Sequence, residues 1–146
     1  MRALALVAVE AALLAVVPVA SGGTKNACLL VSATDTSKAV GGKIGPGRHV
    51  SAGGFNTCVY TFGKVTVTVK TRPISHAGYL SAVKSIPGSA LAATNVSADA
   101  WVFFVSNGVA LEDWKDGNEL GLVAVHAGGK TQLILTALAN AARGRL

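Results

Sequence analysis

The stretch from Lys64 to Lys70 alternates strictly between polar residues and valine, and this alternation constrains the fold more than any other feature. Successive side chains of a β-strand point to opposite faces, so one face carries three valines and the other carries threonine and lysine. Gly63-Lys64 separates this stretch from another β-forming run, Thr57–Phe62, and glycine in the first position suits a two-residue type II′ turn. The sequence therefore predicts an antiparallel hairpin with one buried face.

Segments on both sides of the hairpin predict helices and further strands. Ser32-Ala33-Thr34-Asp35 matches a capping box, and a short helix should follow it as far as Val40. A second helix is expected around Tyr79–Ile86, where apolar residues recur at three- and four-residue spacing. The other predicted elements are strands at Trp101–Val105, Leu120–Val125 and Thr131–Leu135 and an alanine-rich helix at Thr136–Arg143. The predicted class is α+β, an antiparallel sheet built of hairpins with two or three helices on one face and one disulfide.

Residues 1–22 have the layout of an export signal, with Arg2 at the start, an apolar stretch from Ala3 to Val17 and small residues at Ala20-Ser21-Gly22. Glu10 lies within the apolar stretch and disfavours a permanent anchor, because a carboxylate at the centre of a membrane helix costs about 3 kcal/mol. The sequence predicts a signal peptide over 1–22 and a single α+β domain over 23–146, secreted or associated with the cell envelope. A retained anchor or a helix of the folded domain are the alternatives.

The two cysteines, Cys28 and Cys58, are too few for a four-thiolate zinc site. Lys25 occupies the position three residues before Cys28 where lipid attachment requires an aliphatic residue, so a lipoprotein is disfavoured. An oxidising compartment favours a Cys28–Cys58 disulfide, with two separately buried thiols as the alternative. Closing a loop of about 31 residues would contribute roughly 3.5–4 kcal/mol to stability.

Known catalytic, metal-binding and nucleotide-binding motifs are absent from the sequence. Three histidines, His49, His76 and His126, form no close-spaced ligand pair, and neither HExxH nor CxxC occurs. The serines lack the G-x-S-x-G pattern, and the glycines do not form a phosphate-binding loop. We therefore expect no enzyme, no catalytic residue, no metal site and no cofactor; a hydrolase with a scattered site is the least favoured alternative.

A group of carboxylates lies in one short segment, at Glu112, Asp113, Asp116 and Glu119. Together with Gly117 and Asn118 it suggests an oxygen-rich calcium loop, but the alternating spacing and terminal glutamate of such a loop are missing. The sequence instead predicts that these acids solvate a hairpin. Weak calcium binding and paired-carboxylate hydrolysis are the alternatives.

The net charge is +6, and the positive charge is concentrated in the first half of the chain. Lys64, Lys70 and Arg72 share the hairpin and its exit and are the candidate anion-binding residues. Lys64 and Lys70 should lie about 20 Å apart along the strand, which suits an extended anion or a charged surface. The expected partners are an anionic envelope lipid, a wall polymer or an envelope protein. Nucleic acid is not expected, because the aromatic residues do not alternate with basic ones.

Several short segments resemble small exported domains of actinobacteria. These segments are Cys28-Leu29-Leu30, Val40-Gly41-Gly42, Cys58-Val59-Tyr60 and Val96–Trp101. The resemblance spans about residues 27 to 140 and points to lipoprotein-like cell-envelope domains of unknown function, some of which resemble extracytoplasmic sensor domains. This chain lacks their lipid-attachment site, and the resemblance implies no catalytic residues. The sequence thus favours an exported, non-catalytic cell-envelope binding domain, with a sensory or structural partner domain as the alternative.

Overall fold

A computed structural model describes residues 25–146, so the predicted signal peptide lies outside the described residues. The elements are α1 (Ala27–Leu30), α2 (Ala33–Val40), β1 (Arg48–Ala52), β2 (Phe55–Phe62), β3 (Val65–Pro73), α3 (His76–Ser85), β4 (Leu91–Ala92), β5 (Trp101–Val105), β6 (Gly108–Lys115), β7 (Asn118–Val125) and α4 (Thr131–Arg143). A single 3-10 turn, Gly128–Lys130, precedes α4. The strands form one seven-stranded antiparallel sheet in the order β1-β2-β3-β7-β6-β5-β4. The predicted α+β class with an antiparallel sheet is confirmed.

The alternating stretch forms the predicted hairpin between β2 and β3. Phe62 pairs with Val65 across the turn, and Gly63 has a positive φ of 56°, which a type II′ turn requires at its first central position. Val67 and Val69 are fully buried. The predicted face of the strand is therefore the one that enters the core.

The capping box at the start of α2 is also confirmed. The Ser32 hydroxyl accepts a hydrogen bond from the backbone N–H of Asp35, and the Asp35 carboxylate accepts one from the backbone N–H of Ser32. Gly41 follows the helix in the left-handed conformation, with φ of 76°. Both ends of α2 thus follow from local sequence.

Helices cover both faces of the sheet, but unequally. On one face, α1 and α4 pack over the buried valines of β3 and the leucines of β6 and β7, and α2 packs against α4. On the other face, α3 packs through Tyr79 and Val83 on Phe103 and Ala110 of β5 and β6. The polar positions of β2 and β3 on this second face remain half-exposed or exposed. Helix α3 thus lies on the opposite face of the sheet from α1, α2 and α4.

The predicted strand Thr131–Leu135 is wrong, because Thr131–Arg143 is one continuous helix, α4. Its buried residues recur at three- and four-residue spacing, as a helix face requires. They are Thr131, Ile134, Leu135, Leu138, Ala139 and Ala142. A short apolar run such as 133–135 does not distinguish strand from helix, and the helical period becomes visible only when the following alanines are included.

The Cys28–Cys58 disulfide is confirmed and connects α1 to β2, with the two Cα atoms 5.1 Å apart. Two hydrogen bonds reinforce this connection: the Asn56 side chain accepts from the Ala27 N–H at 2.8 Å, and the Tyr60 hydroxyl donates to the Val31 carbonyl. The first helices are therefore held on the sheet by covalent and polar contacts. Among the helices of residues 25–146, none has the length and apolar character needed to cross a bilayer.

Candidate functional site

Two of the three predicted anion-binding residues are engaged by carboxylates of neighbouring strands. The Lys70 ammonium lies 2.9 Å from Glu112, and the Arg72 Nε donates to Glu119 at 2.5 Å. Gly121 makes the first contact possible, because it lies between Lys70 and Glu112 in the sheet and a Cβ there would overlap with the lysine side chain. Lys70 thus lies on the predicted polar face of β3, but its side chain crosses β7 to a buried partner instead of being left for an anion.

The ring of Phe55 contacts the same two cations. Its ring centre lies 4.8 Å from the Lys70 ammonium and 4.3 Å from the Arg72 guanidinium. Cation–π contacts of this kind favour keeping both side chains along the sheet instead of extended into solvent. Lys70 and Arg72 are therefore engaged within the sheet, and Lys64 is the predicted cation that is left exposed.

The acidic segment is buried, so the prediction that it solvates a hairpin is wrong for three of its four carboxylates. Glu112 and Glu119 are each 3% exposed, and Asp113 is fully buried on the opposite face of the sheet. Asp113 accepts hydrogen bonds from Arg143 of α4 and from the Ser97 hydroxyl. The cationic partners lie 30 or more positions away in sequence, which is why the local pattern did not reveal them.

Glu112 is the most perturbed of these carboxyl groups. Burial raises its pKa to about 7; Lys70 acts in the opposite direction, and the neighbouring Glu119 adds to the rise. Its Oε2 atom is buried and accepts no hydrogen bond within the described residues. A proton on this atom would let Glu112 donate to the neighbouring Glu119, as in other close carboxyl pairs. Such a pair has acid–base character, and both of its carboxyl groups are buried.

Exposed lysines gather at one end of the sheet. The β2–β3 turn and the β5–β6 turn both lie at this end. The end of β7 lies there too, because Val125 pairs with Thr66 near the start of β3 and with Gly108 at the start of β6. Lys64 lies in the β2–β3 turn, and Lys130 lies in the 3-10 turn after β7. Lys43 belongs to the same end, because the preceding Gly42 contacts the ring of Phe62.

Exposed apolar side chains occupy the same end. Phe104 is 66% exposed and Leu133, in the first turn of α4, is 72% exposed. A hydrogen bond of 2.8 Å from the His126 N–H to the Asn107 carbonyl joins the β5–β6 turn to the chain that leads into α4. We call this surface the lysine end. Its members are Lys43, Phe62, Lys64, Phe104, Val105, Lys130 and Leu133.

Carboxylates of the described residues all lie away from the lysine end. Among the carboxylates of β6, Glu112 lies nearest to the lysine end. Four strand residues, roughly 13 Å, separate it from the start of β6. Asp35 pairs with Arg145, beyond the far end of α4, and this guanidinium holds the pKa of the Asp35 carboxyl well below its usual range. The other carboxylates, Asp99, Asp113, Asp116 and Glu119, lie at or near the β6–β7 turn or before β5. The lysine end is therefore uniformly positive.

The three histidines are placed apart. His49 forms a hydrogen bond with Asn56 on the β1–β2 edge, while His76 lies 2.8 Å from Asp99 and packs against Trp114 with the two rings tilted by 44°. His126 is exposed beside the lysine end. Across residues 25–146, no three potential ligands among His, Cys, Asp and Glu converge as a metal site would require.

Comparison of the chain with models of protein families, with curated proteins and with solved structures found no match. The residues and geometry described above are therefore the basis for inferring function.

Proposed function

We propose that this protein is an exported, non-catalytic domain that attaches reversibly to anionic lipid of the cell envelope through its lysine end. The observation that carries this proposal is that residues 25–146 bring three exposed lysines and four exposed apolar side chains, and none of their carboxylates, to one end of the sheet. Lysines are attracted to anionic headgroups, and exposed aromatic and aliphatic side chains enter the interfacial region of a bilayer. The lysine end combines both properties.

The expected strength is that of a peripheral protein. Three lysines near an anionic surface contribute about 1 kcal/mol each. Phe104 and Leu133 together add a few kcal/mol, because each fully buried side chain of this size contributes about 1.5–3 kcal/mol. The electrostatic and the apolar contributions together give reversible association that depends on lipid composition. Neither contribution suffices alone.

Other features support the remaining parts of the proposal. The Cys28–Cys58 disulfide is typical of proteins that work in an oxidising compartment, as an exported domain does. The burial of Glu112 and Glu119 and the separation of the histidines favour binding over catalysis. An anionic wall polymer would use the lysines alone, since it offers no apolar layer for Phe104 and Leu133.

Vesicle binding by two pairs of variants tests the proposal. Lys64→Glu with Lys130→Glu should reduce binding to phosphatidylglycerol vesicles at least tenfold, while Lys25→Glu with Lys38→Glu, which makes the same charge change elsewhere, should reduce it far less. Phe104→Ser with Leu133→Ser should also weaken binding, unlike the control Leu29→Ser with Leu91→Ser at exposed leucines away from this end.

Two outcomes would change this assignment. Loss with the charge pair but not with the apolar pair would replace lipid by a wall polymer as the partner. Equal effects of both charge pairs would show that only net charge matters and would overturn the assignment to the lysine end. Circular dichroism and thermal unfolding of each variant establish that folding is intact.

A further inference from the structure

Strand pairing places His126 beside the lysine end. His126 directly follows Val125, the residue of β7 that pairs with Thr66 on one side and with Gly108 on the other. Its backbone N–H donates to the Asn107 carbonyl at 2.8 Å, which holds this part of the chain against the β5–β6 turn. Its side chain is exposed. A titratable group therefore lies next to the surface that the proposed function assigns to membrane attachment.

The charged groups closest to His126 along the surrounding elements are basic. Lys64 lies in the turn that leads into the neighbouring strand β3, and Lys130 lies in the 3-10 turn before α4. Lys43 comes from the loop after α2. On the other neighbouring strand, β6, the nearest carboxylate is Glu112, which lies four residues from the start of that strand and is already paired within the sheet. A positive charge on His126 would therefore add to that of the lysine end, because no carboxylate of residues 25–146 lies there to offset it.

The other two histidines differ from His126 in their contacts. The ring of His49 forms a hydrogen bond with Asn56, and the ring of His76 lies 2.8 Å from the Asp99 carboxylate. Within residues 25–146, the ring of His126 forms no hydrogen bond. It can therefore take up a proton without breaking a contact inside the protein.

Histidine ordinarily changes its charge between about pH 5 and pH 8. An anionic bilayer attracts the charged form, and its surface potential of about −30 mV also concentrates protons roughly threefold. We propose that His126 makes attachment to anionic lipid dependent on pH, because its protonation adds a fourth positive charge to the three lysines and strengthens binding in mildly acidic surroundings. This inference rests on the proposed function. By linkage, binding to the bilayer promotes protonation as much as protonation promotes binding.

Binding to phosphatidylglycerol vesicles at two pH values tests the proposal, since the phosphodiester of this lipid stays ionised at both. The parent should bind about three- to fivefold more tightly at about pH 5.5 than at about pH 7.5, as one additional basic residue at an anionic surface requires. His126→Asn should bind nearly equally at the two values. Asparagine suits the left-handed backbone of this position, where φ is 60°.

Two control variants separate His126 from other groups that titrate. His76→Asn makes the same substitution at a histidine that follows the far end of β3, and it should keep the pH dependence of the parent. Glu112→Gln removes the carboxyl group whose pKa of about 7 lies in the same range, and it should keep this dependence too. Circular dichroism at both pH values establishes that each variant is folded.

The outcomes distinguish this inference from the proposed function. The pH-dependent role of His126 is overturned if the parent binds equally at both pH values, or if His126→Asn keeps the ratio of the parent. Attachment through the lysine end would still stand in either case, provided that Lys64→Glu with Lys130→Glu weakens binding at about pH 7.5 as expected. Absence of parent binding at both pH values would overturn the proposed function and this inference together.

Discussion

Gly121 shows how a single residue sets the charge arrangement of the half-exposed sheet face. Since it has no side chain, Lys70 can cross β7 and reach Glu112 on the next strand. Any side chain at this position would separate the two charges and leave Glu112 buried without a cation. The glycine therefore matters here for space and not for backbone conformation.

Glu112 should make stability depend on pH. Its folded pKa of about 7 lies above the ordinary glutamate value of 4.5, so between these values the folded state holds a proton that the unfolded chain releases. Its contribution is therefore fully present below about pH 4.5 and is lost as pH rises through 7, with a size on the order of 3 kcal/mol. Glu112→Gln cannot ionise, and its amide can donate to Glu119 in place of the proton.

We expect the free energy of unfolding of Glu112→Gln, relative to the parent, to rise between pH 5 and pH 8. Urea denaturation at both pH values measures this difference. Asp116→Asn removes an exposed carboxylate from the β6–β7 turn and should follow the parent. If Glu112→Gln also follows the parent over this range, Glu112 is ionised throughout and the shared proton does not exist.

At the scale of elements, the disulfide connects α1 to β2 across a separation of 30 residues. It should stabilise the protein mainly by restricting the unfolded chain, with a loss of about 2–5 kcal/mol on its removal. The double variant Cys28→Ala with Cys58→Ala should therefore unfold at lower denaturant concentration than the oxidised parent.

Reductant provides the control for this prediction. It should lower the unfolding midpoint of the parent and leave that of the double variant unchanged, as followed by fluorescence in a urea titration. A parent whose midpoint is insensitive to reductant under conditions where free thiols appear would contradict a stabilising role for the bond.

The first and last helices are also joined by a polar contact. Arg145, just beyond α4, donates to the Leu30 carbonyl at 2.7 Å and pairs with Asp35 in the first turn of α2. The depressed pKa of Asp35 means that this contact stabilises the fold above the usual carboxyl range and weakens in acid. Both ends of the described chain are thus fixed to one another on the same face of the sheet.

Across residues 25–146, charge is unevenly distributed along the sheet: the three exposed lysines of the lysine end lie at one end, and the carboxylates lie toward the other. Exposed charges are screened over about 8–10 Å at physiological ionic strength. Higher salt shortens this screening length. We therefore expect binding to phosphatidylglycerol vesicles to fall about tenfold or more between about 50 and about 500 mM salt. The part due to Phe104 and Leu133 should persist.

Cosedimentation with vesicles at several salt concentrations measures this dependence. Phe104→Ser with Leu133→Ser should lower binding by a similar factor at low and high salt, because apolar insertion is not screened. Binding to purely phosphatidylcholine vesicles should be weak and nearly independent of salt. Salt-independent binding to the anionic vesicles would contradict an electrostatic role for the lysines.

The sequence alone determined features whose cause is local. Alternation fixed the β2–β3 hairpin and its buried face, because each side chain of a strand points opposite to its neighbour. Ser32 and Asp35 fixed the start of α2, because a capping box needs only residues three apart. The pairing of Cys28 with Cys58 followed from there being two cysteines and a predicted export signal.

Tertiary structure alone decided which charges are available for binding. Lys70 and Lys64 are equivalent in the alternating pattern, but pairing between distant strands buries Glu112 beside one and leaves the other in an open turn. The lysine end likewise depends on strand order, since Lys43, Lys64 and Lys130 come from separate segments. Strand order results from packing over the whole sheet, and short sequence windows do not contain it.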